Sequence, residues 1–238
     1  MRIGVISEGH ADRAVISNIL TAMVEIDRSD IIPLRPVYEK DETDKALNNP
    51  RTKSSYSVIK EECESKELID GFLSLENQDY IVIHIDTAEA DRYGVERPNK
   101  KNNNYCEQLR NNVIDQINKW LVNNYSLQIL YAVAIEEIDA WVLTIYEDRN
   151  SVLIVDAKKR LNRILSKKGI KYTNDPFDYY LGISKPLSKK KDLLSGKYLN
   201  NNCSMYFFVE EIKSKILEKI EELKNNIIIA KNKTNSTT

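Results

Sequence analysis

The chain has 238 residues, enough to bury a sizeable core in one large or two small domains. Hydrophobic residues make up 42% and charged residues 30%, which excludes a disordered chain, and the low content of glycine and proline excludes a collagen-like one. The formal net charge of −1 argues against a wholly basic nucleic-acid wrapper but leaves room for a local basic patch.

The predicted elements of the first part alternate between strands and helices. In chain order they are a strand at Arg2–Ser7, a helix from about Ala11 to Asp27, an edge strand at Ile31–Tyr38, a polar loop at Lys40–Thr52 and a helix at Ser57–Leu75. The strands are short β-branched runs, whereas the helices carry apolar residues at helical spacing. Pro33 and Pro36 favour an edge position for the second strand.

Two nearly all-apolar strands follow, at Tyr80–Ile85 and Leu127–Ile135, as is typical of strands covered on both faces of a parallel sheet. The remaining elements of this part are a charged loop at Asp86–Asn104, a helix at Asn111–Val122 and a helical start at Glu136–Thr144. The alternation predicts an α/β fold with a mostly parallel sheet flanked by helices.

The last part differs in composition. Lys-rich helices are predicted at Ala157–Lys168 and Val209–Lys231, with Pro and Gly turns between them and a polar tail from Asn232. We therefore predict an α/β domain at 1–150 and a Lys-rich helical appendage at 151–238 that packs on it. The apolar face of the final helix can pack on this domain, on a second copy of the chain or on a partner subunit.

The three cysteines, Cys63, Cys106 and Cys203, form no CxxC pair, so we expect neither a cysteine zinc site nor a disulfide framework. No apolar run approaches the roughly 20 residues that a membrane span needs, and the start of the chain has no secretory pattern. These features predict a cytoplasmic protein that does not associate with membranes.

Acidic residues follow each of the three strongest strands. They are Glu8 and Asp12 after the first, Asp86, Glu89 and Asp91 after the YIVIHI strand, and Glu136, Glu137 and Asp139 after the LQILYAVAI strand. In an open parallel sheet these positions meet at one edge, where ligands bind. Crowded carboxylates repel each other unless a cation neutralises them, and oxygen ligands suit Mg²⁺ or Mn²⁺.

The pattern therefore favours metal-assisted phosphoryl-transfer or phosphodiester chemistry. Helix capping and solvation in loops are the alternative explanation for any single one of these acids.

Three sequence blocks, VISEGHAD, IVIHIDTAEAD and IEEIDAWVL, resemble in this order the motifs of a TOPRIM domain. They are most similar to OLD-type nucleases and to small TOPRIM-like proteins encoded beside ABC-type ATPases in bacterial antiphage defence loci. The resemblance covers about two thirds of the chain. It implies a TOPRIM-like, Rossmann-like fold, a Mg²⁺- or Mn²⁺-dependent endonuclease acting on DNA or RNA, and an ABC-type ATPase partner.

The resemblance also implies roles for individual residues. Glu8 corresponds to the general base or metal-bridging acid, and Asp86 to the principal metal ligand. The further candidate metal ligands are Asp12, Glu89, Glu137 and Asp139. One of Glu137 and Asp139 is the metal ligand, and the other caps the helix.

One position departs from the family pattern. The second Asp of the family's Asp-x-Asp pair falls on Ala88, which cannot ligate a metal. Three explanations are open: Glu89 or Asp91 supplies the carboxylate, the protein is a naturally degenerate non-catalytic TOPRIM, or Ala88 is an engineered inactivating substitution. We favour the third, because the surrounding motif is intact.

The stretch Lys185–Lys197 carries five lysines. OLD-type relatives use a lysine near the scissile phosphate, so Lys185 and Lys189 are candidate catalytic residues. The candidate nucleic-acid contacts are Lys185, Lys189, Lys190 and Lys191. The alternative is a solvated Lys-rich face.

Histidines and aromatic residues near the motifs have competing interpretations. His10 is a candidate base, although we favour a solvent-facing position, and His84 fits a buried hydrogen-bonding role better than that of a ligand. Tyr179 and Tyr180 are candidates for base stacking. Trp120 and Trp141 are too, but for both we favour packing in the core.

Three functions compete. The leading one is a metal-dependent TOPRIM nuclease, the second is a non-catalytic TOPRIM-like module that docks on a partner ATPase, and the third is another phosphoryl-transfer α/β protein such as a small phosphatase. Binding of a divalent metal would favour the nuclease or the phosphoryl-transfer protein over a metal-free docking module. Cleavage of polynucleotides separates the first from the third.

Overall fold

The computed structural model describes residues 1–36, 55–122, 125–222 and 224–226, and of Ser55 only the backbone. The predicted loop at Lys40–Thr52 and the polar tail from Asn232 lie outside these residues. Within the described ranges, no helix is both long and apolar enough to cross a membrane.

A four-stranded parallel sheet forms the centre of the structure. Its strands are β1 (Arg2–Ile6), β2 (Ile31–Arg35), β3 (Gln78–Asp86) and β4 (Ile129–Ala134), in the spatial order β2-β1-β3-β4. Every neighbouring pair is parallel. The predicted α/β fold with a parallel sheet is thus confirmed, and it is consistent with a Rossmann-like fold. The predicted edge position of the proline-containing strand is also confirmed, since β2 lies at one end of the sheet.

Helices cover both faces of the sheet. The α-helices are α1 (His10–Val24), α2 (Ser55–Ser65), α3 (Glu67–Leu73), α4 (Tyr105–Leu121), α5 (Asp139–Tyr146), α6 (Ala157–Lys167), α7 (Pro176–Ile183), α8 (Lys190–Leu194) and α9 (Cys203–Ile212). Side chains alternate along β3, so that Val82 packs with α1 and the C-terminal helices while Ile83 and Ile85 pack with α2, α3 and α4. Each such buried aliphatic side chain stabilises the fold by roughly 1.5–3 kcal/mol.

The single helix predicted at Ser57–Leu75 is wrong, because the structure has two helices there. Lys66 separates α2 from α3 with a φ of 63°. This left-handed conformation cannot continue a right-handed helix. The apolar spacing survives the break, since Cys63, Ile69 and Phe72 are all buried.

The C-terminal region packs against α1 and β4 and shares one apolar cluster with them. Ile212 and Ile216 are fully buried in that cluster, so this part of the final helical face packs on the chain itself. The stretch expected to consist of turns contains two helices, α7 and α8. Asp175 caps α7 by accepting hydrogen bonds from the backbone N–H groups of Phe177 and Asp178.

A disulfide joins Cys106, in the first turn of α4, to Cys203 at the start of α9. The expectation that no disulfide forms is therefore wrong. The two residues lie 97 positions apart in sequence but only 6.6 Å apart between Cα atoms, a proximity that spacing in the sequence cannot reveal. By loop-closure entropy, a crosslink of this span stabilises the fold by about 4–5 kcal/mol. Cys63 is free and buried.

Candidate active site

A cleft of about 490 Å³ opens at the carboxyl edge of the sheet. Its acidic lining comes from the ends of three adjacent parallel strands: Glu8 follows β1, Asp86 ends β3, and Glu137 and Asp139 follow β4. The other lining residues are Gly9, His10, Ala11, Asp12, Lys158, Tyr172, Pro176 and Tyr180. The chain thus brings five candidate acids together in one cleft.

Asp86 connects the three strand ends. Its backbone N–H donates to Glu8 Oε1 at 2.8 Å. Its own Oδ1 accepts from the backbone N–H of Ile138 at 3.0 Å, just before α5 begins. These bonds fix the β1–α1 and β4–α5 turns relative to the end of β3, so the Asp86 carboxylate is held at the middle of the acidic cleft.

His84 lies behind the cleft and is fully buried. Its Nε2 is 3.3 Å from Asp86 Oδ1 and its Nδ1 is 3.8 Å from Asp12 Oδ2, but neither nitrogen has an aligned hydrogen-bond partner. The imidazole therefore separates the two carboxylates. Gly9 permits Asp12 to approach, because a Cβ at this position would lie 3.2 Å from Asp12 Oδ2.

Asp139 is held from the opposite side. The hydroxyl of Tyr180 donates to Asp139 Oδ1 at 2.6 Å, and both side chains are buried. Glu137 accepts a bond of 3.2 Å from the backbone N–H of Lys158, in the first turn of α6. Lys158 itself lines the cleft and favours the charged form of Asp139.

Burial raises the pKa values of three carboxyl groups in the cleft. The pKa of Asp12 rises to about 8, and its charged neighbours Asp86 and Glu8 add to the effect while His84 opposes it. The pKa of Asp86 lies well above its usual range, because burial and the nearby Glu8 and Asp139 all disfavour its charged form. The pKa of Asp139 is also raised, again mainly by burial. A cation in the cleft would offset this repulsion.

The donor chemistry of the cleft fits a hard divalent cation. Among the described residues, no three His, Cys, Asp or Glu side chains are already grouped as a ligand shell. Carboxylates of Glu8, Asp86 and either Glu137 or Asp139 nevertheless line the same cleft, and oxygen ligands are what Mg²⁺ and Mn²⁺ prefer. His84 is buried behind these carboxylates, as expected, but the hydrogen bonds expected of it are not formed in this structure.

Glu89 and Ala88 are not among the residues that line the cleft. Glu89 Oε1 accepts from Arg92 at 2.6 Å. Ala88 is exposed, and its backbone N–H donates to the carbonyl of Glu136 at 3.0 Å. In this arrangement the structure places no carboxylate of Glu89 beside Asp86.

The four candidate lysines of the 185–191 stretch also lie outside the lining of the cleft. Lys185, Lys189 and Lys191 are exposed, and Lys190 pairs with Glu25 at 3.0 Å. Sequence reasoning missed Lys158, the lysine that does line the cleft. It sits in a Lys-rich helix in which nothing in the sequence distinguishes it from its neighbours.

The aromatic candidates divide between core and cleft. Trp141 is fully buried, stacks on Phe208 and donates from Nε1 to Ser204 Oγ at 2.8 Å. Trp120 is buried as well, so the favoured core packing is confirmed for both. Tyr180 lines the cleft from a buried position, whereas Tyr172, which sequence reasoning passed over, is exposed at its mouth.

We compared the chain with known protein families, curated proteins and solved structures. No protein-family model, curated protein or solved structure matches this chain. The three sequence blocks are therefore the features that connect this chain to a family, and the cleft is the feature that indicates its chemistry.

Proposed function

We propose that this protein is a divalent-metal-dependent nuclease of TOPRIM type that hydrolyses phosphodiester bonds in DNA or RNA. The observation that carries the proposal is that Glu8, Asp86 and Asp139, from three adjacent parallel strand ends, line one cleft. Carboxylates at this edge of a parallel sheet occupy the ligand-binding position of such folds. The three motif blocks that supply these residues are those that resemble the TOPRIM family.

Mg²⁺ or Mn²⁺ would be held by Glu8, Asp86 and either Asp139 or Glu137. A divalent cation bound there would supply an activated water and stabilise charge on the phosphate oxygens. In this proposal Glu8 accepts a proton from the attacking water. Lys158, at the wall of the cleft, attracts the substrate phosphate.

The remaining polar groups position the carboxylates. The Ile138 N–H orients Asp86, and the Tyr180 hydroxyl orients Asp139. Asp12 and His84 fill the space behind Asp86. The ABC-type ATPase partner and the defence role follow from the resemblance alone. A homo-oligomer follows from the apolar face of the final helix, and a cytoplasmic location follows from the sequence features given above. All four form part of this proposal.

A cleavage assay tests the proposal. The chain and its Ala88→Asp variant are incubated with plasmid DNA and total RNA in Mg²⁺ or Mn²⁺, and Glu8→Ala and Asp86→Ala are added in the Ala88→Asp background. We expect Ala88→Asp to cut and either further change to abolish cutting. Glu96→Ala is the matched control and should leave cutting unchanged, because Glu96 is an exposed acid of the same loop outside the lining of the cleft.

Other outcomes separate the explanations for Ala88. Cutting by the unchanged chain supports the nuclease and shows that Ala88 does not inactivate it. Metal binding without cutting points to a missing activating partner, such as the ATPase.

The second candidate is a non-catalytic TOPRIM-like module that docks on a partner ATPase. Ala88 favours it, since its methyl group cannot ligate a metal at the position where the family carries an acid. If the chain does not cut nucleic acid, and calorimetry detects no binding of a divalent metal, this candidate becomes the better supported one.

A further inference from the structure

An exposed aromatic ring stands at the mouth of the acidic cleft. Tyr172 lies in the segment between α6 and α7, and 61% of its surface is exposed. It lines both the acidic cleft and a second cleft of about 440 Å³. A large ring shared by two adjoining clefts is placed to contact whatever passes from one to the other.

The ring is supported from below by two buried tyrosines. The Tyr172 ring centroid is 4.7 Å from that of Tyr179, which is 5.6 Å from that of Tyr180. Tyr180 in turn donates its hydroxyl hydrogen bond to Asp139. A continuous row of three rings therefore runs from a carboxylate of the proposed metal site to solvent, which fixes the distance between Tyr172 and that site.

The second cleft has the chemistry of a base-binding surface next to a phosphate backbone. Ile170 contributes an apolar side chain that is 37% exposed, Lys171 a positive charge, and Asn162 and Ser166 hydrogen-bonding groups. Its size falls within the range of ligand clefts. Lys158 in the acidic cleft and Lys171 in the second place one cation on either side of the ring, an arrangement suited to consecutive phosphates.

We propose that Tyr172 stacks on one unpaired base of the strand whose phosphate enters the acidic cleft, so that the substrate is single-stranded or locally unpaired nucleic acid. Both faces of a base inside a duplex are covered by its neighbours, so a ring reaches it only after the base leaves the stack. Stacking on aromatic side chains tolerates every base. The inference rests on the proposed nuclease function and adds the form of the substrate to it.

Fluorescence anisotropy tests this without cleavage. A short labelled oligonucleotide, single-stranded or annealed to its complement, is titrated with the full chain in Ca²⁺. We expect Tyr172→Ala to weaken binding of the single strand by roughly five- to a hundredfold and binding of the duplex by less than twofold. Tyr172→Phe keeps the ring and should retain the affinity. Tyr206→Ala removes a comparably exposed tyrosine, 43% exposed on α9, and should change neither.

A set of oligonucleotides, each with one abasic position, locates the base. We expect one position to weaken binding to the unchanged chain and to leave binding to Tyr172→Ala unaltered, because the ring and its base are then already separated. Thermal unfolding of each variant verifies that it is folded. If Tyr172→Ala is not, Tyr172→Leu carries the comparison, because it removes the ring but keeps an apolar side chain.

Two results would overturn the inference. Equal losses for strand and duplex would show that Tyr172 contacts the backbone or the fold, and no loss would show that it contacts nothing. In either case binding by the unchanged chain leaves the nuclease proposal standing. If the unchanged chain binds neither strand nor duplex, the nucleic-acid substrate itself is wrong and the inference falls with it.

Discussion

Carboxylates that are partly or fully buried occur in two kinds of surroundings in this molecule. Glu136 and Glu211 are balanced by cations from the chain itself. Glu136 Oε1 accepts from Arg97 at 3.1 Å and from Lys100 at 2.9 Å, and Glu211 pairs with Arg110 at 2.5 Å and with Lys215 at 2.8 Å.

Three carboxylates of the cleft, Asp12, Asp86 and Asp139, lie in different surroundings. Among the residues that the structure describes, no Lys or Arg forms an ion pair with Asp12, Asp86 or Asp139. Their pKa values are raised instead. A chain that can place Arg97 and Lys100 on Glu136, two residues after the end of β4, could balance its other acids too. The contrast therefore supports the proposal that the cleft holds an external cation.

The largest expected effect comes from breaking a balanced pair. Arg110→Ala removes the closer of the two cations on the partly buried Glu211 and leaves Lys215 in place, so the free energy of unfolding should fall by about 3 kcal/mol. Denaturant titration measures the change. Arg2→Ala is the control, because Arg2 and Asp30 form an exposed pair at 3.7 Å, and it should cost less than about 1 kcal/mol. Equal costs for the two variants would contradict a structural role for the buried pair.

Divalent metal should stabilise the protein through the cleft. Mg²⁺ or Mn²⁺ at 100 times its dissociation constant is expected to add about 2.7 kcal/mol to the free energy of unfolding, seen as a rise in Tm. Asp86→Asn should remove the rise, whereas Glu136→Gln should keep it, since Glu136 already has its cations. A rise that survives Asp86→Asn would place the metal elsewhere.

The metal-free protein should lose stability as the pH increases. The pKa of Asp12 is about 8 when folded and near 3.8 when unfolded, so between these values the folded state holds a proton that the unfolded state has released. The free energy of unfolding then falls with rising pH, by at most about 1.4 kcal/mol per pH unit from this group.

Denaturant unfolding in EDTA between pH 4 and 8 measures how steeply the free energy of unfolding falls with pH. Asp12→Asn should flatten it, whereas Asp30→Asn, at an exposed acid, should not. A slope unchanged by Asp12→Asn would assign the titration to the other groups around Asp12. The other groups there with raised pKa values are Asp86 and Asp139.

The smallest effect separates two lysines. Lys190→Ala breaks an exposed pair with Glu25 and should cost less than about 1 kcal/mol, with cleavage retained. Lys158→Ala should lower cleavage at unchanged stability, because Lys158 lines the cleft. If Lys190→Ala loses cleavage while Lys158→Ala keeps it, the substrate contacts the Lys185–Lys197 stretch and not Lys158.

Much of the sheet could be predicted, because local patterns determine it. Apolar runs located β1, β3 and β4, prolines located the edge strand, and the parallel arrangement then placed their terminal acids together. What failed depends on contacts between distant parts of the chain. Lys158 and Tyr172 belong to segments without a motif, and only the packing of α6 and α7 beside the sheet brings them to the cleft.

The disulfide illustrates the same limit. Cys106 and Cys203 come together because α4 and α9 are neighbours in the fold, whereas a chain with three dispersed cysteines predicts reduced thiols. The break at Lys66 depends on a single backbone conformation, which the apolar spacing on either side does not signal.

The disulfide also closes a covalent ring that contains β4, α5, α6 and α7, and with them Asp139, Lys158 and Tyr172. A protease that cuts once inside this ring leaves the two fragments joined. Such a nicked molecule migrates as an intact chain in electrophoresis until a reductant is added. The exposed segment around Tyr172 can therefore be opened without release of either part of the cleft.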